Sequence, residues 1–165
     1  MATPTIRPAT EADLAAITDI YNQAGVGTTA SYDLEPVTVE QRRVWMAQKA
    51  SKGFPVLVAE LDGQVVGFAA YGTFRDLRGY DQTVEHSVYV ADGLRAAGLG
   101  RMLMSALIDR ARGDGLHVMV GVLDAANEAS LAFHERLGFV EVGRMPEVGR
   151  KFDRWLDVIF VQLML

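Results

Sequence analysis

Cysteine is absent from the 165 residues. That excludes disulfides, thiolate-ligated zinc and a cysteine nucleophile. It suits a reducing compartment, so a cytoplasmic location is expected. Long apolar runs are missing too: nothing approaches the roughly 18 residues that span a bilayer, and no membrane partner is expected. The opening MATPTIRPATEADL lacks the apolar stretch of a secretory signal. No basic run occurs, and 16 Lys and Arg against 21 Asp and Glu leave a net charge of −5, which makes nucleic acid a poor partner. The three histidines have no H-x-x-x-H spacing, so no metal is implied. There is no G-x-S-x-G elbow, so neither usual covalent nucleophile is available. The five prolines are scattered, and no repeat, low-complexity tract or linker divides the chain. Residues 1–165 are read as a single domain.

What the chain does contain is concentrated between Val84 and Leu107. Val84 to Val90 is a β-rich run of strand length. Ala91 to Gly100 is a loop with glycines at 93, 98 and 100. From Leu99 or Gly100, apolar residues at Met102, Leu103, Ala106, Leu107 and Ala111 recur at helical spacing. A strand that turns through glycines into a helix aims free N–H groups and the positive end of a dipole at whatever lies beyond, which suits a phosphate. The loop reads R-x-x-G-x-G from Arg95 to Gly100. It is neither a Walker loop nor G-x-G-x-x-G. On this spacing alone, a glycine turn with no ligand is an equal reading.

Around this stretch the order predicted is β-α-α-β-β-β-α-β-α-β-β, an α/β mixed sheet with helices on its faces. Thr5 to Pro8 is a short strand. Thr10 to Asp13 opens a helix carrying Leu14, Ile17, Ile20, Tyr21 and Ala24 on one face, broken by a loop over Gly25 to Ser31. Thr38-Val-Glu-Gln41 is a capping box for a helix ending near Gly53. Pro55 to Leu61 and Gln64 to Thr73 form a hairpin about Asp62-Gly63. Leu116 to Leu123 is a strand reached by a parallel crossover. A helix follows from Asp124–Asn127 to Gly138, and Phe139 to Arg144 and Leu156 to Leu163 are closing strands.

Val88 to Leu103 resembles the coenzyme A signature of the GNAT superfamily of N-acetyltransferases. A second superfamily element, Asn127 to Phe139, follows at the expected distance. TVEHSVYV at 83–90, HERLGF at 134–139 and KFDRWLD at 151–157 resemble the phosphinothricin and methionine sulfoximine N-acetyltransferase branch, and the likeness runs over nearly the whole chain. The resemblance implies a GNAT-like fold: a mostly antiparallel sheet with one splayed parallel strand pair. It implies acetyl-CoA as cosubstrate, a small-molecule amine as acceptor, and a homodimer. Because coenzyme A is a polyanion and the chain is acidic, binding must be local, through backbone amides and arginines.

The resemblance places the cosubstrate on Val88, Tyr89 and Val90 through their main chain, and on Arg95, Ala96, Ala97, Gly98, Leu99, Gly100 and Arg101 at the phosphates. Asn127 and Ser130 contact the pantetheine arm, although Asn127 is also a helix N-cap by default. Glu85 is a carboxylate in an apolar strand; it is either solvent-facing or the general base that takes the amine's proton. The branch match selects the base. His86, on the opposite face by alternation, is the rival base, and Ser87 joins the substrate set with them. His134 stands where the superfamily commonly has tyrosine, and serves either as general acid to the departing thiolate or only in binding, with binding preferred. Arg75 is expected to clamp an acidic group of the acceptor and Arg78 to be solvated. Trp155 is expected to pack at the end of the sheet. Asp81 and Gln82 depart from the branch, which commonly has a basic and an aromatic residue there. The rival functions are acetylation of a peptide N-terminus and a non-catalytic acetyl-CoA-binding module.

Overall fold

A computed structural model describes residues 3–165. Seven strands form one sheet in the order β1-β2-β3-β4-β5-β7-β6. They are β1 (Thr5–Pro8), β2 (Val56–Leu61), β3 (Gln64–Thr73), β4 (Thr83–Val90), β5 (Val118–Asp124), β6 (Val140–Lys151) and β7 (Arg154–Met164). Every neighbouring pair is antiparallel except β4 and β5. The helices are α1 (Leu14–Ile20), α2 (Val39–Ser51), α3 (Leu99–Gly113) and α4 (Glu128–Arg136). This is the expected mixed sheet with one parallel pair.

Local chemistry accounts for the ends of these elements. At α2 the Thr38 hydroxyl accepts from the Gln41 amide, and the Gln41 side chain accepts from the Thr38 amide, a closed capping box. The β2–β3 hairpin turns on Asp62 and Gly63, both at positive φ, as a tight two-residue connection requires. Helix α1 does not stop where glycine first appears. Tyr21–Val26 widens into a π-helical turn, in which the Gly27 amide reaches the Asn22 carbonyl. Gly25 is needed there because a Cβ would press within 3.1–3.2 Å of the Tyr21 and Tyr89 rings.

The last hairpin is longer than expected. β6 and β7 run to Lys151 and from Arg154 and turn on Phe152 and Asp153, both at positive φ without glycine or asparagine. Register shifts between Glu141 and Gly143 and between Met145 and Gly149 interrupt the alternation, which hid the far half of β6. Trp155 is 58% exposed rather than packed, with the Arg150 guanidinium over its ring.

Two cores hold the sheet. On one face α3 buries Leu99, Leu103, Met104 and Leu107 against Val84, Val90 and Met119. On the other, Ile17, Ile20 and Tyr21 meet Val56, Val58, Phe68 and Ala70. Arg7 of β1 pins the start of the first helix by a two-pronged pair to the Asp13 carboxylate at 2.8 and 2.9 Å, and the Thr10 amide donates to the same group. The Arg7 guanidinium holds the Asp13 pKa down to about 2. A carboxyl whose folded-state pKa lies below its unfolded value contributes stability that is complete above the unfolded pKa, about 4, and lost as pH falls through about 2. Solvent access at Arg7 trims the effect. Asp13→Asn should therefore cost about 1–2 kcal/mol at pH 7, and urea titrations should show the gap to wild type closing between about pH 4 and pH 2.

Candidate active site

The parallel ladder of β4 and β5 is short. It joins Thr83 to Val118, Val84 to Met119 and Glu85 to Val120, and ends there, although β4 continues to Val90 and β5 to Asp124. Beyond Glu85 the inner edges of Ser87 to Val90 have no strand partner, because their β3 partners lie on the opposite edge. A cavity of about 350 Å³ fills the opening, with Glu85, His86, Ser87 and Val88 on one wall and Val122 to Asp124 on the other. A second cavity of about 380 Å³ continues along Val88, Tyr89 and Val90 past Asn127, Ser130 and Phe133 to Arg95 and Gly100. The two share Thr29 and Ala30 as well as Val88, Tyr89, Asn127, Ser130 and His134. An extended arm laid along β4 would meet free backbone groups on one side and α4 on the other.

This groove ends at the start of α3. Gly98, at φ 77°, is the N-cap and has no side chain to cap with, so first-turn amides remain open to an anion. Arg95, Ala96, Gly98, Gly100 and Arg101 line the recess there, joined by Arg136 of α4. Leu99 buries its side chain in the core, so only its backbone amide is available to the recess. A Cβ at Gly100 would sit 3.4 Å from Phe133, an ordinary contact, so a larger residue fits sterically but protrudes into the groove. Asn127 caps α4 by accepting from the Ser130 amide at 3.0 Å while also lining the groove.

Glu85 is the last residue of the ladder, where β4 turns from structural pairing to open edge. Burial raises its carboxyl pKa, and the positive charge of Lys49 works against that shift. The residue is exposed at the cavity mouth, yet the protein around its carboxyl removes part of its hydration, which works against the charged form. Lys49 lies nearby because Gly72, opposite Glu85 on β3, has no side chain to displace the ammonium, which donates to the Tyr71 carbonyl at 3.1 Å.

His86 and His134 pack together behind Glu85, both buried, with their Nε2 atoms 3.1 Å apart. His134 Nδ1 lies 2.7 Å from the Ser130 carbonyl, which only accepts, so Nδ1 carries that ring's proton. Its Nε2 is then a lone pair that accepts from His86 Nε2–H. His86 Nδ1 is left as an acceptor without a partner among the described residues. Desolvation pushes the His86 pKa down to about 3, the neighbouring imidazole adding to it, and lowers that of His134 as well. Both rings are neutral near pH 7. In this arrangement His134 Nε2 has no proton to give a thiolate, which favours the binding role, and His86 is turned away from Glu85 as alternation predicts.

The mouth is held by loop tethers. The Thr29 hydroxyl donates to Asp124, and Lys151 Nζ donates to the Ser31 carbonyl at 2.6 Å. Thr29, Ala30 and Ser31 thus border the cavity. Arg75 does not. It is exposed, with its guanidinium over Phe74, on the segment that leaves β3 at Thr73 beside the paired end of β4, whereas the cavity opens toward Val90 and Asp124. Arg78 is fully solvated, as expected. A third cavity adjoins the first along Ser87 and Tyr89 and contains Arg42, Trp45, Tyr21 and Asp33. The sequence reading passed over Arg42 and Lys49. Their signal is helical phase: they fall three residues before and four after Trp45, on the stripe that α2 turns to the sheet.

The model of the acetyltransferase (GNAT) family matches residues 14–139. The chain belongs to the GNAT family. Among its relatives, the L-methionine sulfoximine/L-methionine sulfone acetyltransferase of Pseudomonas aeruginosa is 50% identical over 97% of this chain and 94% of its own. The structure of the putative acetyltransferase yncA from Salmonella typhimurium, with its cofactor acetyl-CoA, superposes with a TM-score of 0.95 at 48% identity, covering 98% and 94% of the two chains. That of a ribosomal-protein-alanine N-acetyltransferase from Brucella melitensis gives 0.95 at 47% identity over 98% and 99%.

For this GNAT chain the open amides at α3 carry a direct test. Gly100→Glu would set a negative charge in the recess, and calorimetry should show acetyl-CoA affinity falling at least tenfold, about 1.4 kcal/mol. Unchanged affinity in a folded variant would remove the recess from the cosubstrate site.

Proposed function

We propose that this chain is an acetyl-CoA-dependent N-acetyltransferase that moves acetyl directly to the primary amine of a small amino-acid-like acceptor of the methionine sulfone, methionine sulfoximine or phosphinothricin type. The observation that carries the reading is Glu85 at the head of the β4–β5 opening, open to the cavity, with a carboxyl pKa raised because the protein around it removes part of its hydration. Acetyl-CoA lies along Val88 to Val90 with its phosphates at Arg95–Arg101, so the thioester reaches the junction of the two cavities. Backbone amides there polarise its carbonyl. The amine gives a proton to Glu85, directly or through water, and its nitrogen attacks the carbonyl carbon. The C–S bond breaks with its electron pair going to sulfur, and coenzyme A leaves as a thiolate that near neutral pH needs little help from an acid. The second proton of the attacking nitrogen passes to that thiolate or to water. His86, Ser87 and His134 shape the pocket.

A homodimer belongs to this reading and is supported by the exposed Val140, Val142, Met145, Val148 and Trp155 of the last hairpin. Sedimentation at micromolar concentration should give twice the chain mass, and a monomer would remove the dimer.

The likeness to the Brucella enzyme keeps peptide N-termini in view as acceptors. Thiol release from acetyl-CoA with methionine sulfone, methionine sulfoximine, phosphinothricin, ordinary amino acids and peptides separates the two. The methionine derivatives should lead, and a peptide that reacts well where they fail would sink the small-acceptor reading. With the best acceptor, Glu85→Gln should lose turnover by about a hundredfold or more while keeping acetyl-CoA affinity. Wild-type kcat/KM should fall as pH drops through the raised Glu85 pKa, because a base must be unprotonated to act. His134→Phe should keep every limb of that profile, and loss of a limb would make His134 the acid.

A further inference from the structure

Arg42 is buried, at 7% exposure, yet forms none of the ion pairs found among the described residues. Its guanidinium carbon lies 3.6 Å above the Tyr21 ring and 4.7 Å from that of Trp45. The aromatic faces repay part of the desolvation cost, and the Tyr21 side chain is a hydrogen-bonding neighbour, too few partners for the guanidinium's five in-plane donors. The nearest carboxylate in this wall, Asp33, is engaged by the Tyr21 hydroxyl. A buried cation balanced only by the Tyr21-bound Asp33 carboxylate of the same cavity is costly; burial lowers its pKa, and Asp33 works against that shift. An arginine held flat by two rings, with its donor edge on a cavity, is arranged to receive a planar anion through two parallel hydrogen bonds.

The position of the cavity says which molecule would bring that anion. Glu85, Ser87 and Tyr89 alternate on one face of β4, the face that α2 covers. Ser87 and Tyr89 line both the Glu85 cavity and the Arg42 cavity, so the two chambers adjoin along these residues. Glu85 and Ser87 are one pleat apart, about 7 Å along the strand. An acceptor whose amine is deprotonated at Glu85 therefore has its next atoms beside Ser87, facing Arg42. Arg75, which the sequence marked for this task, lies outside both chambers.

We propose that Arg42 is the receptor for the α-carboxylate of the acceptor and thereby selects free α-amino acids over amines that lack an adjacent carboxylate. The assignment rests on the small-acceptor reading above. Tyr21 and Trp45 fix the plane of the guanidinium, and Ser87 offers a hydroxyl to the same group. A peptide N-terminus, whose α-carbonyl is an uncharged amide, would leave the guanidinium unpaired and is disfavoured.

The test crosses the variant with the substrate. Methionine sulfone and its carboxamide differ only in the group that Arg42 would hold. Wild type should favour the acid over the amide at least fiftyfold in kcat/KM. Arg42→Met should raise the KM of the acid by a similar factor, alter kcat little, and leave the amide within about twofold, so that the preference vanishes; Arg42→Lys should restore part of it. Equal losses for acid and amide would make Arg42 a packing residue, and an unchanged acid KM would place the carboxylate elsewhere; either result overturns the proposal. Calorimetric binding of the same two ligands needs no turnover. If the acid binds wild type, binds Arg42→Met at least tenfold more weakly and is never acetylated, Arg42 stands and the proposed reaction falls. If acid and amide bind wild type alike, Arg42 falls whatever the reaction.

Discussion

Two parallel strands that pair for three residues and then part are the constraint from which the site follows. A buried strand edge with unmet donors and acceptors is expensive, because each unpaired backbone group forgoes a hydrogen bond that water or a neighbouring strand would supply. In this sheet the cost is confined to the stretch from Ser87 to Val90, and the rest of the architecture tolerates it. β3 pairs fully with the outer edge of β4, and β7 pairs fully with the outer edge of β5, so each strand is anchored from behind while its inner edge stays open. α3 runs beneath with Leu103 and Leu107 fully buried, which keeps the opening from closing by collapse. A ligand with amide groups along an extended arm is the natural completion of such an edge.

Around that opening the chain separates two kinds of polar chemistry. On the α3 and α4 side lie the helix N-terminus, the arginines and a neutral imidazole pair, all suited to holding a long anion still. On the α2 side lie Glu85, Lys49 and Arg42, three charged groups partly stripped of water and not neutralised by close ion pairs. Their lowered hydration is what makes them responsive: a base gains strength as its ionised form loses solvent, and a guanidinium binds more tightly when little water competes. Strand alternation sorts the two sets, since adjacent residues Glu85 and His86 face opposite sides of one sheet.

Much of this was legible in the residues. The capping box at Thr38, the turn at Asp62-Gly63 and the glycine-led start of α3 are local signals, and local signals survive folding unchanged. The parting of β4 from β5 is not local; it was available only through resemblance, since nothing in VEHSVYV says that its second half lacks a neighbour. β6 was read at half its length because two bulges and Pro146 break the period-two pattern. Arg75 was assigned by its place in a motif, and the fold carries it past the paired end of the strand. Arg42 and Lys49 were overlooked for a simpler reason: a charged residue in an apolar stripe reads as a solvated face until the aromatic neighbours that hold it are seen.

The tether from Lys151 to the Ser31 carbonyl joins residues 120 positions apart and reaches the rim of the acceptor chamber. The groove along β4 and the recess at α3 are lined by nothing later in the chain than Leu137. As the polypeptide leaves the ribosome, the parts of the groove therefore exist before the parts of the chamber do, and the rim is fastened only when the final hairpin docks. Assembly has a direction: every residue that lines the groove is made before the hairpin that anchors β5 and fastens the rim of the chamber.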